Sequence, residues 1–483
     1  MPIHNLVSLL PNTSHTALIS SDGELTFEEL HRQVSQTAAG LHQAGVQAGD
    51  RILLLMPMSN ELYISLLALF WIDATVMLVD PSAPLDEILK RFRPSGFIGS
   101  PKAHLLRIKY SSLRGLPLYI STGFVPMWHR RLSSITAEPI PITDASHPAL
   151  LTFTTGTTGI PKAMARRHSF LLAQHKALAH HMDFTAGDVD MPTLAVFLLH
   201  SLAAGATCVL PDANLRNVAE VNAESIIKQL EHHSVTSMSG APAFFNALCT
   251  PMLEWGQQIG SIKKIFTGGG RVMASDVQRM QRCFPQAQIT IVYGSTEAEP
   301  IATLNATARL DDIVRGEVKG LGALVGTPVD DIKVKIVDDE LWVTGAHVNT
   351  SYFQSPEADA ENKVNDGEHI WHRTGDAAII RDNEIWLLGR IGDLIDGHWP
   401  MPIEGMVLQL DFVIQAALVN HQGSAALVLV FDAPPADWRA QVSTRCQLPV
   451  ILSEHIPLDP RHNTKIDRRR LLEQLSQSPQ NLL

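Results

Sequence analysis

Apolar and polar positions change their pattern from one stretch of the chain to the next. GDRILLLMPM (residues 49–58) is a short continuous apolar run, the signature of a strand buried on both faces. SNELYISLLALFWIDA (59–74) follows as a helix, with Ser59 at its N-cap. TVMLVDP (75–81) then predicts a strand and PLDEILKRF (84–92) a helix. The alternation resumes with GATCVLP (205–211, strand), VNAESIIKQLEHHS (221–234, helix), VTSMSG (235–240, strand) and PAFFNAL (242–248, helix). IKKIFTGGG (262–270) is a strand running into a loop, ASDVQRMQRCF (274–284) a helix and QITIVYG (288–294) a strand. Strands alternating with helices imply βαβ units and mostly parallel sheets, which bind ligands beyond the carboxyl ends of their strands.

From about Leu321 the texture becomes β-rich. VKIVDDELWVTGAHV (334–348) and WHRTGDAAIIRDNEIWLLGRI (371–391) read as hairpins turning at DDE and RDNE. After GRIGD a smaller unit begins, with FVIQAALVN and SAALVLVFD as strands, ADWRAQVSTRC as a helix and a basic helical tail. The predicted architecture is α/β. Residues 1–391 form a large N-terminal domain of mixed, mostly parallel sheets with helices and a β-rich subdomain. Residues 392–483 form a small α+β C-terminal domain.

Composition narrows this picture. At 483 residues, 45% of them apolar, the chain is globular and longer than one ordinary core requires. Its most apolar window, LYISLLALFWIDATVMLV, contains Asp73 and is flanked by Glu61 and Asp80, so no transmembrane segment is predicted. The start, MPIHNLVSLLPN, lacks the basic and apolar regions of a secretory signal. Cys208, Cys249, Cys283 and Cys446 are scattered and predict reduced, buried thiols of a cytoplasmic protein. A net charge of −11 without long basic runs argues against nucleic acid as a partner. Arg468, Arg469 and Arg470 read as a solvated helix face, and the 21 histidines show no ligand spacing such as HExxH.

Four stretches offer chemistry. In LLTFTTGTTGIPKAM (150–164), Thr154, Thr155, Thr157 and Thr158 surround Gly156 and Gly159, and Lys162 follows. Such a loop turns its amides toward one point and makes an anion-binding nest, with Lys162 as a point charge. The competing reading is a polar surface loop with a solvated lysine. In YGSTE (293–297), Tyr293 and Gly294 end a strand; the tyrosine can stack on a planar ring, Thr296 can bond a phosphate and Glu297 can hold Mg²⁺. TGD (374–376) and LLGR (387–390) place Asp376 at a predicted strand start, where it can accept from two ribose hydroxyls with Arg390 nearby. PLDPRHNTKID (457–467) holds Lys465 in a polar turn before a helix. Each of the last three, taken alone, is more often a turn, a surface ion pair or a solvated side chain.

Their combination and order are specific. TTGTTGxPK, YGSTE, TGD, GR and a late lysine, together with LALFWIDATVMLVDPSAP and IFTGGG, resemble the adenylate-forming superfamily over nearly the whole chain. That superfamily includes acyl-CoA synthetases, luciferase-type enzymes and peptide-synthetase adenylation domains. The resemblance implies that an acid and ATP give an acyl-adenylate and pyrophosphate, by positioning and charge stabilisation. Residues 154–159 and Lys162 would cradle the outer phosphates. Gly268, Gly269 and Gly270 would line the adenine and acyl side. Tyr293 and Gly294 would lie against adenine, Thr296 at the α-phosphate, Glu297 on Mg²⁺, and Asp376 and Arg390 on the ribose. Lys465 would bridge the carboxylate and the α-phosphate from the small domain.

The resemblance further implies transfer of the acyl group to CoA or a carrier-protein phosphopantetheine after a domain rotation about residues 391–393. Possible partners are then an acyl carrier protein or pathway enzymes. The pocket segments LAVFLLHSLAAG and APAFFNAL carry no charge suited to an amino acid, which predicts an apolar, fatty-type acid. This chain departs from the pattern with Gly392 at the usual hinge aspartate or lysine, Ala163 and Thr464 at usual glycines, a short region between Ile301 and Leu341, and the unusual loop DGHWPMPIE. MPTLAVFLLHSLAAGATCVLPD, WHRTGD and RHNTK look like the β-lactone synthetase group of bacterial olefin biosynthesis. An alternative product is therefore a β-lactone closed from an adenylated β-hydroxy acid. A third reading is a non-catalytic nucleotide-binding or partner protein.

Overall fold

Burial and turn geometry explain why these segments become the elements they do. A computed structural model describes residues 5–79, 83–122, 130–131, 147–155, 161–215, 218, 221–458 and 465–477. In the first sheet, Arg51–Leu55 lies between Thr75–Leu78 and Gly96–Gly99, all parallel, and Leu118–Ser121 extends it. Their near-continuous apolar character follows from helices covering both faces. Helix Asn60–Trp71 starts where Ser59 accepts from the Leu62 amide, at the predicted cap, and is buried nearly all round. Pro148–Thr155 runs parallel to Thr75–Leu78 and ends the sheet as a hairpin with Pro161–Arg167.

The second sheet contains the parallel run Thr16–Ser20, Thr207–Val209, Val189–Pro192, Ser237–Gly240, Lys264–Gly268 and Gln288–Ser295. The β-rich segment continues this sheet rather than standing apart. Ala298–Asn305 pairs antiparallel with Gln288–Ser295 and then with Ala323–Pro328, which pairs with Glu384–Arg390. Ile370–Arg381, Glu340–Gly345 and Ile332–Val337 complete that end. The turns at DDE and RDNE have positive φ at both central residues: Asp338 (49°), Asp339 (65°), Asp382 (50°) and Asn383 (62°). Two successive left-handed residues make the hairpin turn that matches strand twist, and after glycine Asn and Asp tolerate it best.

Three expectations are corrected. Pro161 and Lys162 belong to a strand, with Thr154 opposite Lys162 and Thr155 opposite Pro161, so the lysine stands on a hairpin arm rather than in the loop. Asp376 lies inside the strand Ile370–Arg381, beside a register shift at 377–378, and not at its start. Arg468 is not a solvated residue: its guanidinium is turned inward onto Glu404, while Arg469 and Arg470 are exposed. The cysteines are free and buried. Among the described residues no helix is long and apolar enough to cross a membrane.

The C-terminal unit has its own cores. Val413–His421, Ser424–Phe431 and Val450–Leu452 form a three-stranded sheet, with helices Pro400–Val407, Trp438–Arg445 and Arg468–Gln477 against it. One core gathers Val407, Phe412, Leu427, Leu429 and Val442, and another gathers Val419, Val428, Ile456 and Leu471.

Candidate active site

The two large sheets are stitched together where the sequence placed its chemistry. Met164 bridges Tyr352, and the Phe353 amide donates to the Ala163 carbonyl at 2.8 Å. Asn349 donates from its side chain to the Ala165 carbonyl (2.7 Å) and from its amide to the Glu297 carbonyl (2.7 Å). Arg166, 3% exposed, donates to Thr152 Oγ1 and to the Thr296 carbonyl, both at 2.7 Å. One buried guanidinium thus spans the strand leading into the threonine-rich stretch and the YGSTE turn. Glu299 lies within its electrostatic reach, although burial lifts that carboxyl to about 7.

Asp376 is the centre of one cluster. Tyr293 donates its hydroxyl to Asp376 Oδ2 at 2.7 Å, and Arg390 Nη1 lies 3.0 Å from Oδ1. The pair is opposed in register across the two strands, so the backbone itself sets the distance. Arg390 also donates to the Thr374 carbonyl at 2.8 Å. Burial raises the Asp376 carboxyl from its usual range, while Arg390, the Tyr293 hydrogen bond and the charge of Lys465 oppose that rise. The late lysine of the C-terminal unit thus acts on this carboxylate electrostatically. Lys465 itself is exposed.

Glu297 is the centre of a second cluster. It accepts from the Tyr352 hydroxyl at 3.0 Å. Burial works against its ionisation, but His372, Tyr352 and Lys363 together hold its carboxyl below the usual value. Burial pulls the Lys363 ammonium down to about 8, against the attraction of Glu297 and Asp359, and it pulls His372 to about 4. Lys363 donates to the Asn349 carbonyl. Lys162 lies 5.7 Å and Lys363 5.2 Å from the centroid of the Tyr352 ring, and Lys162 pairs with Glu361 at 3.0 Å.

Gly294 lies near the end of the strand Gln288–Ser295, and Thr296 and Glu297 form the turn that follows. Gly268 ends its strand opposite Val292, where an added Cβ would stand 2.0 Å from the Val292 carbonyl oxygen. Close strand packing therefore accounts for this glycine. Gly269 has φ +73° and open space around its Cα, and Gly270 follows in the same bend. Thr154 and Thr155 lie at the end of a strand, and Gly156, Thr157, Thr158 and Gly159 lie outside the described residues. Sequence reasoning missed Arg166, Tyr352, Lys363 and His372. Lys363 follows the acidic helix Pro356–Asn362 and looks like its solvated end; only the pairing of Lys363 with His372 turns it inward.

A single carboxylate beside two lysines and a hydrogen-bonding tyrosine suits Mg²⁺ held jointly with phosphate oxygens. That ion commonly takes one or two carboxylates and completes its shell from substrate and water. Among the described residues there is no cluster of three or more ligating side chains that would hold a metal unaided.

A family model described as AMP-binding enzyme matches residues 11–353. The olefin beta-lactone synthetase of Stenotrophomonas maltophilia is 26% identical over 506 aligned positions, covering 93% of this chain and 91% of that protein. Among solved structures, an amide bond synthetase from Marinactinospora thermotolerans superposes with a TM-score of 0.81 at 20% identity, over 97% of this chain and 98% of that one. The O-succinylbenzoate coenzyme A synthetase of Bacillus subtilis, in complex with ATP and magnesium ion, superposes with a TM-score of 0.77 at 20% identity, over 97% and 99%.

Proposed function

Because this chain belongs to the AMP-binding enzyme family and is an adenylate-forming ligase, we propose that it activates an apolar β-hydroxy acid and closes it to a β-lactone. The observation that carries the first step is the joining of Tyr293 and Arg390 on Asp376, with Lys465 acting electrostatically on the same carboxylate. In that step a carboxylate oxygen attacks the α-phosphorus of ATP and the bond to pyrophosphate breaks. Asp376 and Arg390 hold the ribose, with the Tyr293 hydroxyl fixing the carboxylate that does so. Lys465 lies against the charge that shifts from the carboxylate to the α-phosphate. Lys162, on the strand Pro161–Arg167, would follow the charge of the departing pyrophosphate. Mg²⁺ on Glu297, when bound, neutralises phosphate charge.

In the second step the substrate's own hydroxyl oxygen attacks the acyl carbon, AMP departs and the hydroxyl proton is released. No thiol enters. The lactone reading is supported by the end-to-end similarity to a β-lactone synthetase and by the loop DGHWPMPIE after the hinge arginine, which departs from the pattern of thiol-transferring relatives. The uncharged segments LAVFLLHSLAAG and APAFFNAL favour an apolar acid. Pyrophosphate exchange with a panel of acids tests adenylation, and Lys465→Ala should abolish exchange while leaving ATP binding intact. Mass spectrometry after incubation with a β-hydroxy acid tests the product. Loss of water without CoA is expected; a product that appears only with CoA or a carrier thiol overturns the lactone step.

A further inference from the structure

The contact between the C-terminal unit and the rest of the chain is organised around one buried carboxylate. Glu404, on helix Pro400–Val407, is 2% exposed. Its Oε2 accepts from Arg271 Nη1 at 2.7 Å, and its Oε1 accepts from Arg468 Nη2 at 2.6 Å and from the Leu418 amide at 3.0 Å. Arg271 comes directly after the triple glycine 268–270. Arg468 opens the last helix, three residues beyond Lys465, and also donates to the Leu418 carbonyl at 3.1 Å and reaches Asp393 in the hinge segment at 3.9 Å. Gln409 donates to Glu317, whose other oxygen accepts from the Ala274 amide, so a second polar contact lies beside the first.

We propose that Arg271 and Glu404 form a clasp that fastens the C-terminal unit with Lys465 at the Asp376 cluster, which makes Arg271 a positioning residue for Lys465. The physical argument is one of counting partners. Arg468 and the Leu418 amide belong to the same unit as Glu404 and travel with it. Arg271 does not, so rotation of the unit strips Glu404 of one of its two cations. A buried carboxylate that loses a cation is strongly disfavoured. The arrangement with Lys465 at the site is thereby the ground state, which suits a reaction completed without a second domain arrangement. The kinetic part of this inference rests on the adenylation reading; the conformational part does not.

The test uses Arg271→Met in the full chain, with Arg271→Lys as the conservative variant. Arg271→Met leaves Glu404 paired with Arg468, so the C-terminal core is untouched. Labels at Trp255→Cys and Ile414→Cys, both exposed and one in each part, report the distance between the parts. The parent protein should give one narrow distance, Arg271→Met a second population, and Arg271→Lys mostly the first. In pyrophosphate exchange Arg271→Met should lose about tenfold in kcat, with KM for ATP within about twofold. A single narrow distance with parental kcat overturns the proposal. So does a raised KM for ATP with an unchanged distance, which would make Arg271 a nucleotide contact. If no acid supports exchange in the parent protein, the adenylation reading fails and the distance measurement still decides the clasp.

Discussion

The hydroxyl of Tyr293 donates to Oδ2 of Asp376 across 2.7 Å, joining the strand Gln288–Ser295 to the interior of the strand Ile370–Arg381. The two residues are 83 positions apart in sequence. Their contact makes one unit of two motifs that otherwise read as independent turns. Tyr293→Phe keeps the ring and removes that bond. It should cost about 1–2 kcal/mol of stability and raise KM for ATP roughly three- to tenfold, because the carboxylate proposed to hold the ribose loses its fixed orientation. Steady-state exchange at varied ATP measures this; an unchanged KM would remove the tyrosine from the nucleotide site.

Lys162 is held by Glu361, a half-exposed carboxylate 3.0 Å away. Such a pair is worth about 0–1 kcal/mol, so it competes only weakly with phosphate. Glu361→Gln should free the ammonium and lower KM for ATP by about two- to threefold. Lys162→Met should raise KM and slow exchange. If Glu361→Gln instead raised KM, the pair would be a support for the lysine rather than a competitor.

Glu317 gives the protein a pH dependence. Burial lifts its carboxyl to about 7, against 4.5 in the open chain. Below about pH 4.5 both states carry the proton and the group has no net effect. Between about pH 4.5 and 7 the unfolded chain ionises first, so stability falls as pH rises, by about 3 kcal/mol in all once the folded group has also ionised. Glu317→Gln should therefore stabilise the protein by about 1–3 kcal/mol near pH 8 and hardly at all near pH 4.5. Denaturant midpoints at the two pH values test the sign.

The glycines at 268 and 269 should respond differently to alanine. At Gly268 a Cβ would stand 2.0 Å from the Val292 carbonyl oxygen, in a neighbouring strand that cannot withdraw without breaking its ladder. Gly268→Ala should cost about 3 kcal/mol or more. At Gly269 there is open space but φ is +73°, so Gly269→Ala should cost about 1–2 kcal/mol of backbone strain. Equal losses would argue against the close strand contact.

Much of this protein is determined locally. The cap at Ser59, the apolar runs of the parallel strands and the Asp338–Asp339 and Asp382–Asn383 turns depend on residues within a few positions of one another. Propensity and hydrophobic period therefore reveal them. The order of the nucleotide motifs is likewise written in the chain, and with it the class of chemistry. Only the tertiary structure decided which side chains meet. Whether Lys162 sits in the loop or on a strand depended on its pairing with Thr154. Whether Asp376 starts a strand or occupies its interior depended on Arg390 arriving opposite. Arg468 read as a solvated charge because the carboxylate that receives it, Glu404, is 64 positions away. Nothing local marks Lys363, because Glu297 and His372 approach it only across the sheet. Hydrophobic patterning fixes which face of an element turns inward, but charge pairing across the fold is set by register and packing, and neither leaves a period in the sequence.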